Sequence, residues 1–184
     1  MNLANYYSLI ILPPDEVIAL VGKLKLRLHT ESGKGYSSRK SMAHITIQEF
    51  WATENQLKKI ILKLIKIARE EKGFAAVFDE VFCSEQTAFF TPDDISKGGF
   101  KRLLERIRTQ VKGKCKSNAH ISIGRKLSSE QLEISRKIFS TETLEFNCNR
   151  IALRKFNDKT KQFEVVQTFS FLGEESSEKQ LTLW

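Results

Sequence analysis

His44-Ile45-Thr46-Ile47 and His120-Ile121-Ser122-Ile123 are two copies of one four-residue pattern, and they contain two of the three histidines in the chain. Isoleucine and threonine favour strands, and side chains alternate between the two faces of a strand. Each copy therefore predicts a short strand with an apolar face for the core. The opposite face is predicted to carry His44, Thr46 and Gln48 in one copy, and His120, Ser122 and Gly124 in the other.

The elements around the two copies are predicted to repeat as well. A strand over 6–12 and a helix after it precede the first copy, while strands over 75–83 and 87–91 and a helix over 98–112 precede the second. Each copy is followed by a helix with capping-box spacing; the pairs are Thr53 with Gln56 and Ser128 with Gln131. This order indicates an internal duplication, in which the two histidine strands meet at a pseudo-axis and line one cleft. Further on, 144–156 and 162–172 are predicted to form a hairpin.

Composition fits one compact domain with a substantial core. The chain has 184 residues, of which 41% are hydrophobic and 28% are charged. We expect one domain of two packed lobes over residues 1–173, followed by a polar tail over 174–184. The net charge of +8 favours a polyanionic partner such as RNA or a nucleotide, although a basic protein without such a partner is the alternative.

The cysteines and the apolar runs bear on the compartment. Cys83, Cys115 and Cys148 are widely separated and form no C-x-x-C pair, which favours a reduced, intracellular protein. No secretory signal is visible, and no run approaches the roughly 20 apolar residues of a membrane span. We therefore expect a cytoplasmic monomer with no membrane partner.

The paired histidines and hydroxyls fit acid–base chemistry on phosphate. Imidazole has a reference pKa of about 6.5, so it can act as base or acid near neutral pH. Opening a cyclic phosphodiester needs a base that takes a proton from water and an acid that protonates the departing ribose oxygen. Thr46 and Ser122 face the same way as the histidines and can donate hydrogen bonds to the phosphate oxygens. A pair of structural strand histidines is one alternative; a zinc site is another, but it needs three or four ligands and no His/Cys cluster accompanies the motifs.

The pair of motifs resembles the two-histidine (2H) phosphoesterase superfamily, in its 2′-5′ RNA ligase-like branch, whose members carry two H-x-[ST]-x motifs. The resemblance extends to Leu12-Pro13-Pro14 and to Ile121-Ser122-Ile123-Gly124-Arg125, and it covers about residues 6–172. It implies a bilobal α+β fold with a pseudo-two-fold duplication, antiparallel sheets lining a central cleft and helices on the outside. It also implies catalysis by His44, Thr46, His120 and Ser122 without a metal or other cofactor.

The implied substrates are 2′,3′-cyclic phosphates or 2′-5′ linkages of RNA or nucleotides, so the expected partners are RNA ends or nucleotides with a cyclic phosphate. Two other functions compete: a non-catalytic RNA- or nucleotide-binding module of the same fold, and a 2H enzyme for another small cyclic phosphate such as an ADP-ribose derivative. Which histidine is base and which is acid stays open.

Four residues outside the motifs are candidates for substrate binding. Arg125 follows the second motif and can bind phosphate through its planar guanidinium. Tyr36 and Arg39 lie in the loop before the first motif. Phe89 and Phe90 point to opposite faces of one strand, and we take Phe90 as the ring that stacks on a base, with a place in the aromatic core as the alternative.

Overall fold

The computed structural model describes residues 3–175 and has an α+β fold, as predicted. The four helices are α1 (Asp15–Ser32), α2 (Glu54–Glu70), α3 (Asp94–Gln110) and α4 (Ser129–Ile138). The eight strands are β1 (Asn5–Ile11), β2 (Ile45–Ala52), β3 (Phe74–Ser84), β4 (Thr87–Pro92), β5 (Ile121–Arg125), β6 (Leu144–Cys148), β7 (Arg150–Asn157) and β8 (Gln162–Ser170). None of the helices in this described range is long and apolar enough to cross a bilayer.

The strands form two four-stranded antiparallel sheets with matching layouts. The first sheet has the order β2-β1-β7-β8 and the second has the order β5-β4-β3-β6. The strand that follows each histidine, β2 or β5, lies at one edge of its sheet. Its neighbour in the sheet is the preceding strand in the chain, β1 or β4. The units β1-α1-β2 and β4-α3-β5 are therefore equivalent, in agreement with the predicted duplication.

Local sequence signals set the elements that position the motifs. Thr53 and Ser128 each cap a helix through the predicted capping box, which fixes where α2 and α4 begin directly after the histidine strands. The isoleucines of both motifs are fully buried in one core cluster that both sheets share. Their burial turns the histidine and hydroxyl side chains to the opposite face of each strand.

The predicted hairpin over 144–156 and 162–172 is wrong in its first arm. This segment divides at Asn149 into β6, which pairs with β3 in the second sheet, and β7, which pairs with β1 and β8 in the first. Both strands are apolar enough to be buried, so the pattern alone gave no sign of a change of sheet. The turn itself is confirmed, because the Asn157 side chain accepts hydrogen bonds from the backbone N–H groups of Lys159 and Thr160.

The predicted polar tail over 174–184 begins as a segment attached to α2. The backbone N–H of Glu174 donates to the carbonyl of Arg69 at 2.8 Å, and the two side chains form an ion pair at 3.4 Å. Positions 176–184 lie outside the described residues.

Candidate active site

The two histidine motifs are joined by reciprocal contacts between the lobes. Ser38 lies six residues before His44, and its hydroxyl accepts a hydrogen bond at 2.9 Å from the backbone N–H of Arg125, five residues after His120. At the equivalent positions, the backbone N–H of Lys114 donates at 2.7 Å to the carbonyl of Glu49. The loop before each motif is thus bonded to the strand of the other motif.

A long basic side chain fixes each of these loops. The buried Lys25 of α1 donates to the carbonyl of Ser41 at 2.7 Å and to its hydroxyl at 3.0 Å, just before His44. Arg108 of α3 donates to the carbonyl of Ser117 at 2.8 Å, just before His120, and to the carbonyl of Ile47 at 2.9 Å. Burial lowers the pKa of Lys25 to about 8.

Both imidazoles are held by the same hydrogen bond. Each histidine lies directly before its strand rather than within it, and its Nδ1 is bonded to the carbonyl two residues earlier: Met42 for His44 at 2.7 Å and Asn118 for His120 at 2.9 Å. A neutral ring in this position carries its proton on Nδ1, since only a donor can bond to a carbonyl. Nε2 of each ring is then left as a proton acceptor for a substrate.

His44 lies in a polar cavity of about 450 Å³ between the two lobes. Thr46, Glu49, Arg125 and Arg154 share this cavity, as does the loop segment at Lys40. Burial, followed by the charge of Arg154, lowers the pKa of His44 to about 3, and Arg125 and Lys25 act in the same direction. His44 is therefore neutral at physiological pH.

A bulge in β2 decides which residue follows Thr46 on the cavity face. Ile10 pairs with Thr46 and Leu9 with Gln48, so Ile47 is the extra residue and the alternation shifts by one position. The prediction that Gln48 shares the face of His44 is therefore wrong. Gln48 is buried and donates to the carbonyl of Val111, while Glu49 takes its place in the cavity. The prediction that Gly124 shares the face of His120 is wrong for the same reason, because Ile123 is the extra residue of a matching bulge in β5 and Gly124 pairs with the buried Ala88.

Arg154 is the principal site residue that sequence reasoning missed. It lies on β7, is only 5% exposed, and donates to the hydroxyl of Ser8 at 2.9 Å. Its guanidinium carbon lies 5.1 Å from the centre of the Phe163 ring, and its buried Nε has no hydrogen-bond partner. An unmatched buried N–H costs about 1–3 kcal/mol, and more when the group is charged. A charged residue within the buried segment 150–154 was the available signal in the sequence.

The surroundings of His120 are more aromatic. The Phe89 ring meets the imidazole edge-on with ring centres 5.1 Å apart, and Phe82 packs on Phe89 at 5.5 Å. These two rings, with Thr91 and the segment 117–119, line the cavity that contains His120. Phe89 pairs across the sheet with Ser122, so ring, imidazole and hydroxyl share one face.

Arg125 contacts the surroundings of both motifs. Its guanidinium lies 3.5 Å from the hydroxyl of Ser122, which follows His120, and it also lines the cavity of His44 and Thr46. Thr46 and Ser122 are both partly exposed on the faces of their histidines. His44 and Thr46 thus line one cavity and His120 another, with Arg125 linking the two motifs, and a single cleft lined by both motifs stays a prediction.

Two predicted substrate contacts are not supported by the structure. Phe90 is fully buried, with neighbours Val81 and Ile121 across the sheet, so Phe89 and not Phe90 is the partly exposed aromatic ring beside the motif. Tyr36 packs against the core and donates its hydroxyl to the carbonyl of Lys25 at 2.8 Å, which fastens the loop to α1 instead of presenting the ring to a substrate. Burial raises the pKa of Tyr36 to about 12. Arg39 is partly exposed in the same loop, and its role in binding stays a prediction.

Within residues 3–175, no group of three or more His, Cys, Asp and Glu side chains is arranged to hold a metal ion. The three cysteines are free thiols, and Cys148 is buried.

Comparison with known proteins gives one family. The model of the 2′-5′ RNA ligase superfamily matches residues 13–160. No curated protein matches the chain significantly.

Several solved structures share the fold at low sequence identity. E. coli LigT complexed with phosphate is 11% identical, with a TM-score of 0.64 over 92% of this chain and 98% of LigT. TT0787 of Thermus thermophilus is 18% identical, with a TM-score of 0.63 over 92% of this chain and all of TT0787 (100%). Usb1 of Kluyveromyces marxianus is 16% identical, with a TM-score of 0.51 over 90% of this chain and 98% of Usb1.

Proposed function

Because the chain belongs to the 2′-5′ RNA ligase superfamily, we propose that it is a metal-independent phosphodiesterase that acts on 2′,3′-cyclic phosphate or 2′-5′ linkages of RNA or nucleotides. One observation carries the proposal: His44 and His120 are both bonded through Nδ1 to a backbone carbonyl, at equivalent positions of two joined lobes. This arrangement orients two Nε2 atoms for proton transfer. Solved structures of the same fold include E. coli LigT with 3′-AMP, a ribonucleotide monophosphate.

We assign the two roles from the difference between the surroundings of the two rings. Burial and Arg154 keep His44 neutral, so its Nε2 takes the proton from the attacking water. The water oxygen bonds to phosphorus, and the bond from phosphorus to one ribose oxygen breaks. His120 enters the step with a proton on Nε2 as well as on Nδ1 and gives the Nε2 proton to that oxygen, which leaves a phosphomonoester and a free ribose hydroxyl.

The remaining groups stabilise the negative charge that develops on the phosphate. The hydroxyls of Thr46 and Ser122 share the faces of the histidines, and Arg125 lies beside Ser122. Hydrogen-bond donors held in place before the reaction stabilise such charge without a reorganisation cost. The positive charge of Arg125 adds to their effect.

A product assay tests this function. The wild-type protein is incubated with 2′,3′-cyclic nucleotides with and without EDTA, and products are separated by chromatography; the double variant His44→Ala/His120→Ala is the blank. We expect a phosphomonoester product at an equal rate in both conditions. Tight nucleotide binding without product would favour a binding module, turnover only of an ADP-ribose cyclic phosphate would favour the other substrate class, and loss of activity in EDTA would contradict the metal-independent mechanism.

A further inference from the structure

Arg154 is a buried cation whose hydrogen bonds are incomplete. It has no ion pair among residues 3–175, and its Nε has no acceptor. The nearby carboxylate of Glu49 accepts a hydrogen bond from the hydroxyl of Tyr6. The cavity nevertheless contains three cationic residues, Lys40, Arg125 and Arg154, against the single carboxylate of Glu49. Such an excess of positive charge favours a ligand with more than one negative group.

The register of the first sheet places Arg154 at a different point along the cavity from Thr46. Thr46 pairs with Ile10, whereas the guanidinium of Arg154 is held over Ser8. Ser8 lies two residues further along β1, about 7 Å, and one strand away from β2, about 5 Å. Arg154 therefore lies further along the cavity than Thr46, on the side of Glu49 and Trp51, where it can reach a second phosphate.

An aromatic surface continues in the same direction. Along β2 the cavity face passes from Thr46 to Glu49 and then to Trp51, which is 64% exposed. The Trp51 ring stacks on Tyr6 with ring centres 5.0 Å apart, and Tyr6 in turn contacts Phe163, the ring beneath the guanidinium of Arg154. Exposed rings of this kind stack on nucleobases with little preference for sequence. From Thr46 outward, a hydroxyl, a cation (Arg154) and an aromatic ring (Trp51) thus occur in the order in which a nucleotide chain leaving the cavity would meet them.

We propose that Arg154 binds the phosphate next to the reacting one, and that the base of the adjoining nucleotide lies on Trp51, so that the substrate is the end of an RNA strand rather than a cyclic mononucleotide. This inference rests on the proposed function for the identity of the reacting group. The contact is ionic, since the guanidinium stays positively charged and its N–H groups donate to phosphate oxygens.

The experiment compares three substrates: a 2′,3′-cyclic mononucleotide, a dinucleotide with a 2′,3′-cyclic end, and the same dinucleotide with a neutral methylphosphonate linkage. For the wild type we expect kcat/KM to be at least tenfold higher with the charged dinucleotide than with either of the others. Arg154→Met should reduce kcat/KM for the charged dinucleotide about tenfold more than for the other two, and Arg154→Lys should recover part of the difference. Equal effects on all three substrates would overturn the proposal.

Arg150→Met is the matched control. Arg150 lies on the same strand but donates to the carbonyls of Leu12 and Pro13, outside the cavity. Its replacement should change kcat/KM for the three substrates by the same factor. Should Arg154→Met fail to fold, the methylphosphonate dinucleotide tests the same contact on the wild type.

A binding measurement separates this proposal from the proposed function. The charged dinucleotide that ends in a 3′-phosphomonoester does not react, and its Kd can be measured whether or not the protein has activity. We expect it to bind the wild type at least tenfold more tightly than its methylphosphonate counterpart, and this ratio to approach one in Arg154→Met. A ratio of one in the wild type would contradict the role of Arg154, whereas absence of turnover with the ratio intact would contradict only the enzymatic function.

Discussion

His44 and His120 occupy the same position in two equivalent β-α-β units, and the same Nδ1 hydrogen bond holds both rings. Their surroundings differ. His44 lies among cationic side chains, of which Arg154 and Arg125 lower its pKa most, whereas His120 lies against the ring of Phe89. The duplicated backbone thus supplies two similar proton-transfer groups, and the side chains from neighbouring strands make them unlike. Two unlike histidines are what a reaction with one base and one acid requires.

The largest effect on activity is expected when one histidine is replaced at a time. His44→Ala and His120→Ala should each lower kcat by about 10²–10⁴, the usual cost of losing a positioned base or acid. Because both groups act in one step, the double variant should lose much less than the product of the single losses. Single-turnover rates on a 2′,3′-cyclic nucleotide give these values. If one variant keeps wild-type activity, its histidine has no part in the mechanism.

The next effect compares the two hydroxyls. Thr46→Val and Ser122→Ala should lower kcat more than they raise KM, with a loss of about 2–4 kcal/mol in transition-state stabilisation, by analogy with an oxyanion-hole donor. Both residues are partly exposed, so neither change should alter the fold. Steady-state kinetics beside circular dichroism tests this. Folded variants with wild-type kinetics would reduce both residues to strand formers.

The last expected effect is on stability at acidic pH, and it concerns His44. Burial and Arg154 lower its pKa from 6.5 to about 3 in the folded protein. Between these values the unfolded chain binds a proton that the folded chain does not, so the free energy of unfolding should decrease as the pH falls from 6.5 towards 3. His44→Gln should remove this part of the pH dependence.

Urea unfolding at several pH values measures that slope, and the ring signals of His44 in NMR spectra report its pKa directly. Arg154→Met should shift the titration of His44 upward, because one of the charges that oppose protonation is gone. Titration of His44 near its ordinary value in the wild type would contradict the lowered pKa and remove the electrostatic reason for distinguishing His44 from His120.

Residues close in sequence made most of the elements predictable. The capping boxes at Thr53 and Ser128 are formed entirely within one turn of helix, and the alternation of Ile45, Thr46 and Ile47 is a property of any strand. Such signals depend on neighbours a few positions apart, so they can be read without the fold. They also indicated the duplication, because the same signals occur in the same order twice.

The wrong predictions concern features that depend on contacts between distant segments of the chain. Nothing in 144–156 shows that Asn149 separates strands of two sheets, since both strands are bonded to partners more than fifty residues away. Alternation showed that either Phe89 or Phe90 faces the core, but only the packing of β4 against β3 and β5 decided that Phe90 does. The bulge at Ile47 likewise depends on the pairing of β2 with β1, and it exchanged Gln48 for Glu49 in the cavity.

The sequence by itself determined the two histidine motifs, the side of the strand on which each places its imidazole and hydroxyl, and the membership of the family. Tertiary structure alone decided the electrostatic character of the site. Arg154 comes from β7, more than a hundred residues after His44, and Lys25 comes from α1. Their effects on the pKa of His44 depend on distance and on the exclusion of water, and both are set when the strands and helices pack together.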